Sequence, residues 1–288
     1  MGTAQFGFDY GINNKRGKIP ATEVSDILST AGKHSIDTLD TAYGYGESEE
    51  VIGKFINSSH SHWKIISKLP ICDDGEVAGK LFHSLNRLNA SLLYGYLIHS
   101  FESYRNNKKI WLALEKQKIE GRVEKIGFSL YHPLELESLL EDDLKIDIIQ
   151  IPFSVFDQRF ASYLPELKKR GIEIYARSIF LQGLVFKKPD ELSGAFKGIK
   201  SKIEQLNILS AKCNVSIASL CISFALNNEF IGKAIVGIDN IKHLNETIEA
   251  SESSLSLRNI TVQLTQLKVD DEKIILPFNW GSQRVAAL

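Results

Sequence analysis

The sequence is poor in the features that mark disulfide-stabilised and metal-binding proteins. Its 288 residues include only three cysteines, Cys72, Cys213 and Cys221, and none belongs to a CxxC or CxxH motif. An odd number of isolated cysteines argues against a disulfide framework or a zinc site and favours a reducing compartment. The pair His60 and His62 has no carboxylate or cysteine nearby. We therefore predict no metal site.

Long apolar runs and an excess of one charge are also missing. No stretch approaches the roughly 20 apolar residues that a membrane-spanning helix needs. The start, MGTAQFGFDYG, has neither the basic nor the apolar region of a signal peptide. With 34 Lys and Arg against 35 Asp and Glu, the net charge is -1, so no overall positive field attracts nucleic acid. These absences predict a cytoplasmic protein that binds neither membrane nor nucleic acid.

What is present is an alternation of short β-branched runs with longer helical patterns, and no linker rich in Gly, Ser or Pro interrupts it. Strands are predicted at 36–40, 63–68, 92–99, 123–129, 147–151, 172–177 and 232–236. Most of their starts fall roughly 25–30 residues apart, which is typical of repeated β-plus-α units. Several of the runs are apolar on successive residues, as in strands that are buried on both faces.

The segments between the strands show the periodicity of amphipathic helices. Glu23–His34 and Tyr104–Glu120 carry apolar residues at i, i+3, i+4 and i+7 spacing. We expect Thr22 or Ser25 to cap the first of these helices and Gly121 to follow the end of the second.

Seven strands and a short additional one at Met1–Gln5 together predict an α/β fold, a (β/α)8 barrel. We expect a single domain over residues 1–288 with a truncated first strand. Either the carboxy-terminal segment covers the barrel floor, or the natural chain begins further upstream. The stretch Ile179–Asn214 is longer than an ordinary βα loop, so it is either a cover for cofactor and substrate or an extra packing helix.

Four polar side chains stand where predicted strands run out: Asp40 and Tyr45, then Lys68, then His99. Each alone is more often a cap, a surface group or a core histidine. Their joint placement matters because the carboxyl ends of barrel strands converge on one face.

This set suits the reduction of a carbonyl group, which needs a hydride from a nicotinamide and a proton for the developing alkoxide. Tyr45 could supply the proton, and Lys68 could lower the pKa of that phenol. Asp40 could hold Lys68 in an ion pair. His99 could orient the carbonyl oxygen.

The segment IDTLDTAYGYGESEEVIG, residues 36–53, resembles the signature of the aldo-keto reductase family. In that signature the catalytic Asp precedes the catalytic Tyr by five residues, and a glutamate and a glycine follow. Asp40 and Tyr45 have this spacing, and Glu49 or Glu50 with Gly53 completes it.

The resemblance extends from Gly2 to about Pro277. Lys68 and His99 match the family's catalytic lysine and histidine at the ends of the next two strands. The resemblance therefore implies NAD(P)H-dependent reduction of an aldehyde or ketone, sugars included, or the reverse reaction, with Tyr45 as general acid. The family has no Rossmann fold, and no GxGxxG occurs here.

The resemblance also implies a set of cofactor-binding positions: Gly2, Thr3, Ser129, Gln150, Arg177, Ser178, Leu181, Gly183, Gly237, Asp239, His243 and Glu246. Ser129 and Gln150 match the side chains that hold the carboxamide, although Leu130 replaces the usual Asn. Arg177 replaces an aromatic residue against the nicotinamide, and a guanidinium can also stack on a ring. A subset of the family shares this Arg-Ser-x-x-Leu-Gln-Gly-Leu segment.

The preference between NADP and NAD stays open at this point. Residues 234–249 resemble the family's adenosine-phosphate element, and a helix starting near Asn240 would offer its N–H groups to a phosphate. Gly237, Ile238 and His243 stand where relatives bind a 2′-phosphate. Asp239 would repel such a phosphate and could accept a hydrogen bond from a free 2′-hydroxyl.

Two other functions also stay open. One is a nicotinamide-binding regulatory protein with little turnover. The other is aldol or isomerase chemistry through a Schiff base at Lys68, which the spacing of Asp40 and Tyr45 disfavours. The expected partner is a small carbonyl compound, and the expected state a monomer or small homo-oligomer. Arg177 and Arg159 point to an anionic or polyhydroxylated substrate.

The pocket walls are less defined by the sequence. Phe6, Tyr10 and Tyr43 belong either to the walls or to the core. If the carboxy-terminal segment reaches the pocket, then Phe278, Trp280 and Arg284 could line it.

Overall fold

The computed structural model describes residues 1–14, 16–59 and 62–280, and its centre is a parallel β-sheet. Within these ranges the sheet has seven strands in the order β1 to β7, each paired in parallel with the next. They are β1 Thr38–Asp40, β2 Lys64–Leu69, β3 Leu93–Ile98, β4 Val123–Ser129, β5 Ile148–Pro152, β6 Glu173–Arg177 and β7 Lys233–Ala234. All seven long-strand predictions are confirmed, with shifts of one or two residues at their ends.

The eighth strand is not confirmed. Instead of a strand over Met1–Gln5, the described chain has two isolated bridges at Gly2, one to Asp40 in β1 and one to Gly237 just after β7. The segment Ala4–Gly7 is already a helical turn, so too few residues remain for a ladder. Because Gly2 contacts both edges, the sheet is curled, yet it counts seven strands and not the eight of a complete barrel.

Helices fill the connections between the strands. The described residues contain α1 Ala4–Gly7, α2 Ala21–Lys33, α3 Ser48–Ser59, α4 Val77–Leu88, α5 Phe101–Asn106, α6 Lys109–Ile119, α7 Pro133–Glu141, α8 Leu164–Lys169, α9 Lys200–Cys213, α10 Ile217–Leu226, α11 Ile241–Glu252, α12 Thr261–Thr265 and α13 Glu272–Ile275. The apolar positions at helical spacing in α2 are fully buried, which confirms that prediction.

Two predicted helix ends were only partly right. Neither Thr22 nor Ser25 caps α2, because the helix begins at Ala21, two residues before the predicted Glu23, and its N-cap is Pro20. The Ser25 hydroxyl donates to the Ala21 carbonyl oxygen. The predicted Tyr104–Glu120 helix is divided into α5 and α6. Gly121 does follow its end, with a φ of 74° that suits glycine.

The long segment after β6 contains an extra packing helix, one of the two alternatives that the sequence left open, and its first part borders a cavity. Its beginning, Leu181–Phe186, is a 3₁₀ turn with residues at the edge of a cavity. Its end is α9, in which Ile203 and Leu206 are buried against the core.

A polar cluster on the strands fills the floor at their amino-terminal ends. The Glu173 carboxylate accepts hydrogen bonds from Tyr94 and forms an ion pair with Lys125. The described part of the carboxy-terminal segment lies at the other end of the sheet, since Phe278 packs against Tyr131 after β4. The expectation that this segment covers the floor is therefore wrong for the residues that the structure describes.

Other expectations concern metals, thiols and membranes. Within residues 1–14, 16–59 and 62–280, no group of three or more His, Cys, Asp or Glu could hold a metal ion. His60 lies outside these residues. The three cysteines are free thiols.

No single described helix is long and apolar enough to cross a membrane. The bent pair Gly194–Cys213 and Ile217–Leu226 meets the length and composition criteria when the two helices are taken together.

Candidate active site

A cavity of about 470 Å³ lies at the carboxyl ends of the strands. Its volume is in the range of small-molecule sites. Of the predicted site residues, all but two line it: Gly2, Thr3, Asp40, Tyr45, His99, Ser129, Gln150, Arg177, Ser178, Gly183, Gly237, Asp239, His243 and Glu246. The two that do not are Lys68 and Leu181.

Lys68 lies beneath the cavity and is held by two acceptors. Its ammonium donates to Asp40 Oδ2 at 2.8 Å and to the Thr41 carbonyl oxygen at 2.8 Å. Burial lowers the pKa of Lys68, and the Asp40 charge opposes this. Because a buried ammonium without a partner would be very costly, this ion pair is what allows Lys68 to stay charged below the cavity.

The other oxygen of the Asp40 carboxylate also has a partner. Gln150 Nε2 donates to Asp40 Oδ1 at 2.7 Å. Gln150 on β5 lies beside Ser129 on β4 in the sheet register, and both side chains border the cavity. One N–H of the Gln150 amide group thus donates to Asp40, and its other N–H and its amide oxygen remain for a ligand.

Tyr45 lies between the ammonium and the imidazole. The Lys68 Nζ is 5.0 Å from the centre of the Tyr45 ring, and the His99 ring packs against it edge to face at 5.9 Å. Burial, followed by the charge of Asp40, raises the pKa of Tyr45 above its ordinary value. The pKa of Tyr45 is thus above the ordinary value of a phenol, and not below it as the sequence analysis expected. At neutral pH the phenol keeps its proton and can act as a donor.

His99 is neutral in this environment. Burial, and then the positive charges of Lys68 and Arg177, lower the pKa of His99 to about 3. A neutral imidazole has one N–H donor and one acceptor nitrogen. His99 can therefore donate a hydrogen bond to a carbonyl oxygen without carrying a charge.

Glycine allows the loop of Tyr45 to approach the amino-terminal turn. A Cβ atom at Gly7 would lie 1.7 Å from the Tyr45 carbonyl oxygen. Gly46, with a φ of 53°, turns the chain directly after Tyr45. These two glycines allow the loop that carries Tyr45 to pack directly against the α1 turn.

The structure also decides which glutamate completes the signature. Glu49 is 1% exposed and accepts a hydrogen bond from the Ser67 hydroxyl at 2.6 Å, whereas Glu50 is exposed. A Cβ at Gly53 would lie 2.1 Å from the Arg87 carbonyl oxygen, so α3 and α4 touch there. Glu49 and Gly53 are thus packing residues that support the strand carrying Lys68.

The cavity extends from Tyr45 and His99 to the start of α11. The Asn240 side chain accepts from the His243 N–H at 2.9 Å and caps the helix. Asp239 Oδ2 is 3.4 Å from His243 Nδ1, a contact that raises the pKa of His243. Asp239 Oδ1 is buried and has no hydrogen-bond partner in the part of the chain that the structure describes. A buried acceptor in this state favours a ligand that brings a donor.

Leu181, predicted as a cofactor contact, does not border the cavity. It is fully buried in the core, because the chain turns inward after Ser178. Ser178, Leu181 and Gln182 all have left-handed backbone angles, which non-glycine residues adopt rarely. This strained turn sends Leu181 inside and Gln182 towards the cavity.

The loop around Gln182 forms a clasp that the sequence analysis missed. The Ile12 N–H donates to the Gln182 carbonyl oxygen at 3.2 Å, and Asn13 Nδ2 donates to that of Gly183 at 2.7 Å. Gln182 Nε2 also donates to the Tyr10 hydroxyl. The polar Asn-Asn pair after Gly11 was the only local signal, and 170 residues separate Asn13 from its partner.

The proposed pocket walls divide between cavity and core. Tyr10 lines the cavity, whereas Phe6 is fully buried core and Tyr43 lies under the Arg87 guanidinium. Phe278 and Trp280 do not border the cavity but pack on Tyr131 and Phe196, respectively. Arg284 lies outside the described residues.

The two arginines that were expected to attract an anion differ in their surroundings. Arg159 pairs with Asp157 at 2.8 Å and Glu272 at 2.9 Å and does not border the cavity, so that expectation is wrong for Arg159. Arg177 borders the cavity, and its guanidinium lies 4.0 Å from the centre of the Tyr131 ring. Tyr131 is a further cavity residue that the sequence analysis missed.

The chain is similar to aldo-keto reductases and other oxidoreductases, both in sequence and in fold. The model of the Aldo/keto reductase family matches residues 1–261. The chain is 26% identical over 250 residues to the uncharacterized oxidoreductase YqkF of Bacillus subtilis, covering 79% of this chain and 81% of that protein. It is 32% identical over 169 residues to the glyoxal reductase of B. subtilis, covering 56% of this chain and 59% of that protein. In fold it resembles the aldo-keto reductase AKR11C1 from Bacillus halodurans (holo form), with a TM-score of 0.79, 18% identity, and coverage of 94% and 92%.

Proposed function

The chain belongs to the aldo/keto reductase family, and we propose that it reduces a small aldehyde or ketone to an alcohol with NAD(P)H. Aldo-keto reductases use this cofactor. The observation that carries the proposal is the shared position of Asp40, Tyr45 and His99 at one cavity with Lys68 directly beneath. The glyoxal reductase of B. subtilis supports a small carbonyl substrate.

The residues of the cavity fit a nicotinamide dinucleotide. At one end, Ser129 and the free amide oxygen of Gln150 would hold a carboxamide. At the other end, the N-terminus of α11 would face a phosphate, and the unpartnered Asp239 Oδ1 would accept a hydroxyl donor. The clasp between the loops of Asn13 and Gly183 would cover the dinucleotide between these ends.

In the proposed mechanism the bound cofactor supplies a hydride to the carbonyl carbon. The carbonyl oxygen accepts hydrogen bonds from the Tyr45 hydroxyl and from neutral His99. As negative charge develops on that oxygen, Tyr45 transfers its proton to it. The Lys68 ammonium, 5.0 Å from the centre of the Tyr45 ring, stabilises the phenolate that remains, and Asp40 fixes Lys68 in that position.

The geometry gives less support to the alternatives. A Schiff base would require the Lys68 amine to reach the substrate, but it is 1% exposed, paired with Asp40 and does not border the cavity. A regulatory protein without turnover would have no need of a neutral His99 beside a protonated Tyr45. A turnover assay distinguishes a regulatory protein from an enzyme.

The test is a turnover assay with NADH and NADPH against a panel of aldehydes that includes glyoxal. We expect the Tyr45→Phe variant to lose about 100-fold or more in kcat, the usual contribution of a general acid, and to bind the cofactor as the wild type does. Tyr43→Phe is the matched control, because Tyr43 lies outside the cavity under Arg87. Cofactor binding without turnover of any carbonyl would favour the regulatory protein. Full activity of Tyr45→Phe would disprove the assigned acid.

A further inference from the structure

Arg177 is a cation at the cavity whose hydrogen-bonding capacity is largely unused. It is the last residue of β6, and it is half-buried. Its Nη2 donates to the Leu130 carbonyl oxygen at 2.8 Å, and its Nη1 lies 3.3 Å from the Ser178 hydroxyl. The Nε is buried without a partner in the described part of the chain. Two of the five N–H donors of a guanidinium are thus occupied by the protein.

The charge of Arg177 is also uncompensated. Among residues 1–14, 16–59 and 62–280, no carboxylate lies within ion-pair distance of it. Asp40, which borders the same cavity, is already paired with Lys68. Arg159 shows the usual arrangement in this protein, because it is paired with both Asp157 and Glu272. A partly buried guanidinium without a counter-ion favours a ligand that supplies one.

Arg177 is close enough to the reacting groups to act on the substrate. Burial raises the pKa of Tyr45, and the Arg177 charge opposes this rise. Burial also lowers the pKa of His99, and the Arg177 charge adds to the effect. Arg177, Tyr45 and His99 border one cavity. A single substrate bound in this cavity can therefore contact the guanidinium and the phenol together.

The backbone and a neighbouring ring hold the guanidinium in place. Ser178, directly after Arg177, has a φ of 61°, a conformation that costs energy for a non-glycine residue. On its flat face, the guanidinium lies 4.0 Å from the centre of the Tyr131 ring. With one face covered by Tyr131 and Nε buried, the second N–H groups of Nη1 and Nη2 are the donors that remain for a carboxylate.

We propose that the physiological carbonyl substrate carries a carboxylate next to its carbonyl group and that Arg177 binds this carboxylate. This inference rests on the proposed function. The reaction is then the reduction of a 2-oxo acid to a 2-hydroxy acid. A hydride from NAD(P)H adds to the carbonyl carbon, the C=O π bond breaks, and Tyr45 donates a proton to the oxygen. The cofactor leaves oxidised, and the carboxylate is unchanged throughout.

The test compares two substrates with the same reacting carbonyl, phenylglyoxylate and its methyl ester. We expect Arg177→Gln to lower kcat/KM for the acid about 10- to 100-fold, mainly through KM, the size expected for hydrogen bonds to a charged group. The ester should lose much less than the acid, because it lacks the carboxylate charge. Arg177→Lys should fall between, because it keeps the charge without the two-pronged geometry. Arg105→Gln is the matched control, since Arg105 is 64% exposed and pairs with Glu102.

A titration with NADH, monitored by tryptophan fluorescence, shows whether Arg177 acts in substrate binding or in cofactor binding. We expect Arg105→Gln to bind NADH as the wild type does, and any loss of NADH affinity in Arg177→Gln to be much smaller than its loss in kcat/KM for the acid. Equal losses on acid and ester, together with weaker NADH binding, would assign Arg177 to the cofactor and overturn the inference. Reduction of neutral aldehydes without reduction of phenylglyoxylate would also overturn it. Reduction of no carbonyl compound at all would instead contradict the proposed function.

Discussion

The Lys68 ammonium lies 2.8 Å from the Asp40 carboxylate, and the two side chains are 1% and 6% exposed. Breaking such a pair leaves one buried charge without a partner, at a cost of about 3–5 kcal/mol. We therefore expect Asp40→Asn and Lys68→Met each to lower the free energy of unfolding by several kcal/mol, measured by urea denaturation.

The double variant distinguishes coupling from independent effects. Asp40→Asn with Lys68→Met removes both charges, so its loss of stability should be clearly smaller than the sum of the two single losses. Additive losses would mean that the pair does not hold the charges in place. All three variants should lack reductase activity, because Lys68→Met and the double variant remove the ammonium beside the Tyr45 ring, and Asp40→Asn removes the carboxylate that fixes it there.

The contact between Gly7 and Tyr45 predicts a second effect. A Cβ at Gly7 would lie 1.7 Å from the Tyr45 carbonyl oxygen, so Gly7→Ala must displace the loop of the phenol. We expect a loss of at least about 1–3 kcal/mol in stability, as for overpacking, and a larger relative loss in kcat than in cofactor affinity.

Gly79→Ala is the matched control for this substitution. Gly79 lies within α4, and a Cβ there would meet no atom within 4 Å. Because alanine is the better helix former, Gly79→Ala should be neutral or raise the melting temperature. If the two alanine variants behaved alike, the Gly7 contact would not matter for Tyr45.

Asp239 predicts the cofactor preference that the sequence left open. Its buried, unpartnered Oδ1 suits a 2′-hydroxyl donor, whereas a 2′-phosphate would meet like charge from Asp239 and Glu246 at the same cavity end. We expect NADH to bind at least about tenfold more tightly than NADPH, equivalent to about 1.4 kcal/mol.

The check is the ratio of the two dissociation constants in the wild type and in Asp239→Ser. The substitution should weaken NADH and strengthen NADPH, whereas the exposed control Asp190→Ser should leave the ratio unchanged. A wild type that prefers NADPH would contradict this role of Asp239.

His99 predicts a dependence of stability on pH. The pKa of this imidazole falls from 6.5 to about 3 on folding. Between these values the unfolded chain binds a proton that the folded chain does not, so stability declines as the pH falls from 6.5 towards 3. Above pH 6.5 the contribution is fully present.

Removing the imidazole should remove this part of the dependence. In His99→Asn, the free energy of unfolding between pH 6.5 and 5 should fall less steeply with acid, by up to about 1.4 kcal/mol per pH unit for one proton. The exposed control His34→Asn should keep the wild-type slope. Parallel profiles for all three proteins would mean that His99 accepts a proton readily in the folded state.

Periodicity was sufficient to predict the seven long strands, because strands buried on both faces are apolar on successive residues. It failed at Met1–Gln5, where only Gly2 bridges the sheet edges and helix α1 follows at once. So short a segment has no period to detect, and its conformation is decided by its neighbours in space. The predicted start of α2 near Thr22 was wrong for a similar reason, because the position of a helix end depends on single residues and not on a repeated pattern.

For the candidate site, too, some properties follow from the sequence and others only from the tertiary structure. By itself, the sequence determined that Asp40, Lys68 and His99 stand at or just after the ends of successive strands, with Tyr45 close behind Asp40. The resemblance to the aldo-keto reductase family added Arg177 to the same site. Only the tertiary structure decided their electrostatics: the raised pKa of Tyr45, the neutral His99, and the contrast between the paired Arg159 and the unpaired Arg177. These properties depend on burial and on distances between residues far apart in the chain, and no local pattern of residues encodes such distances.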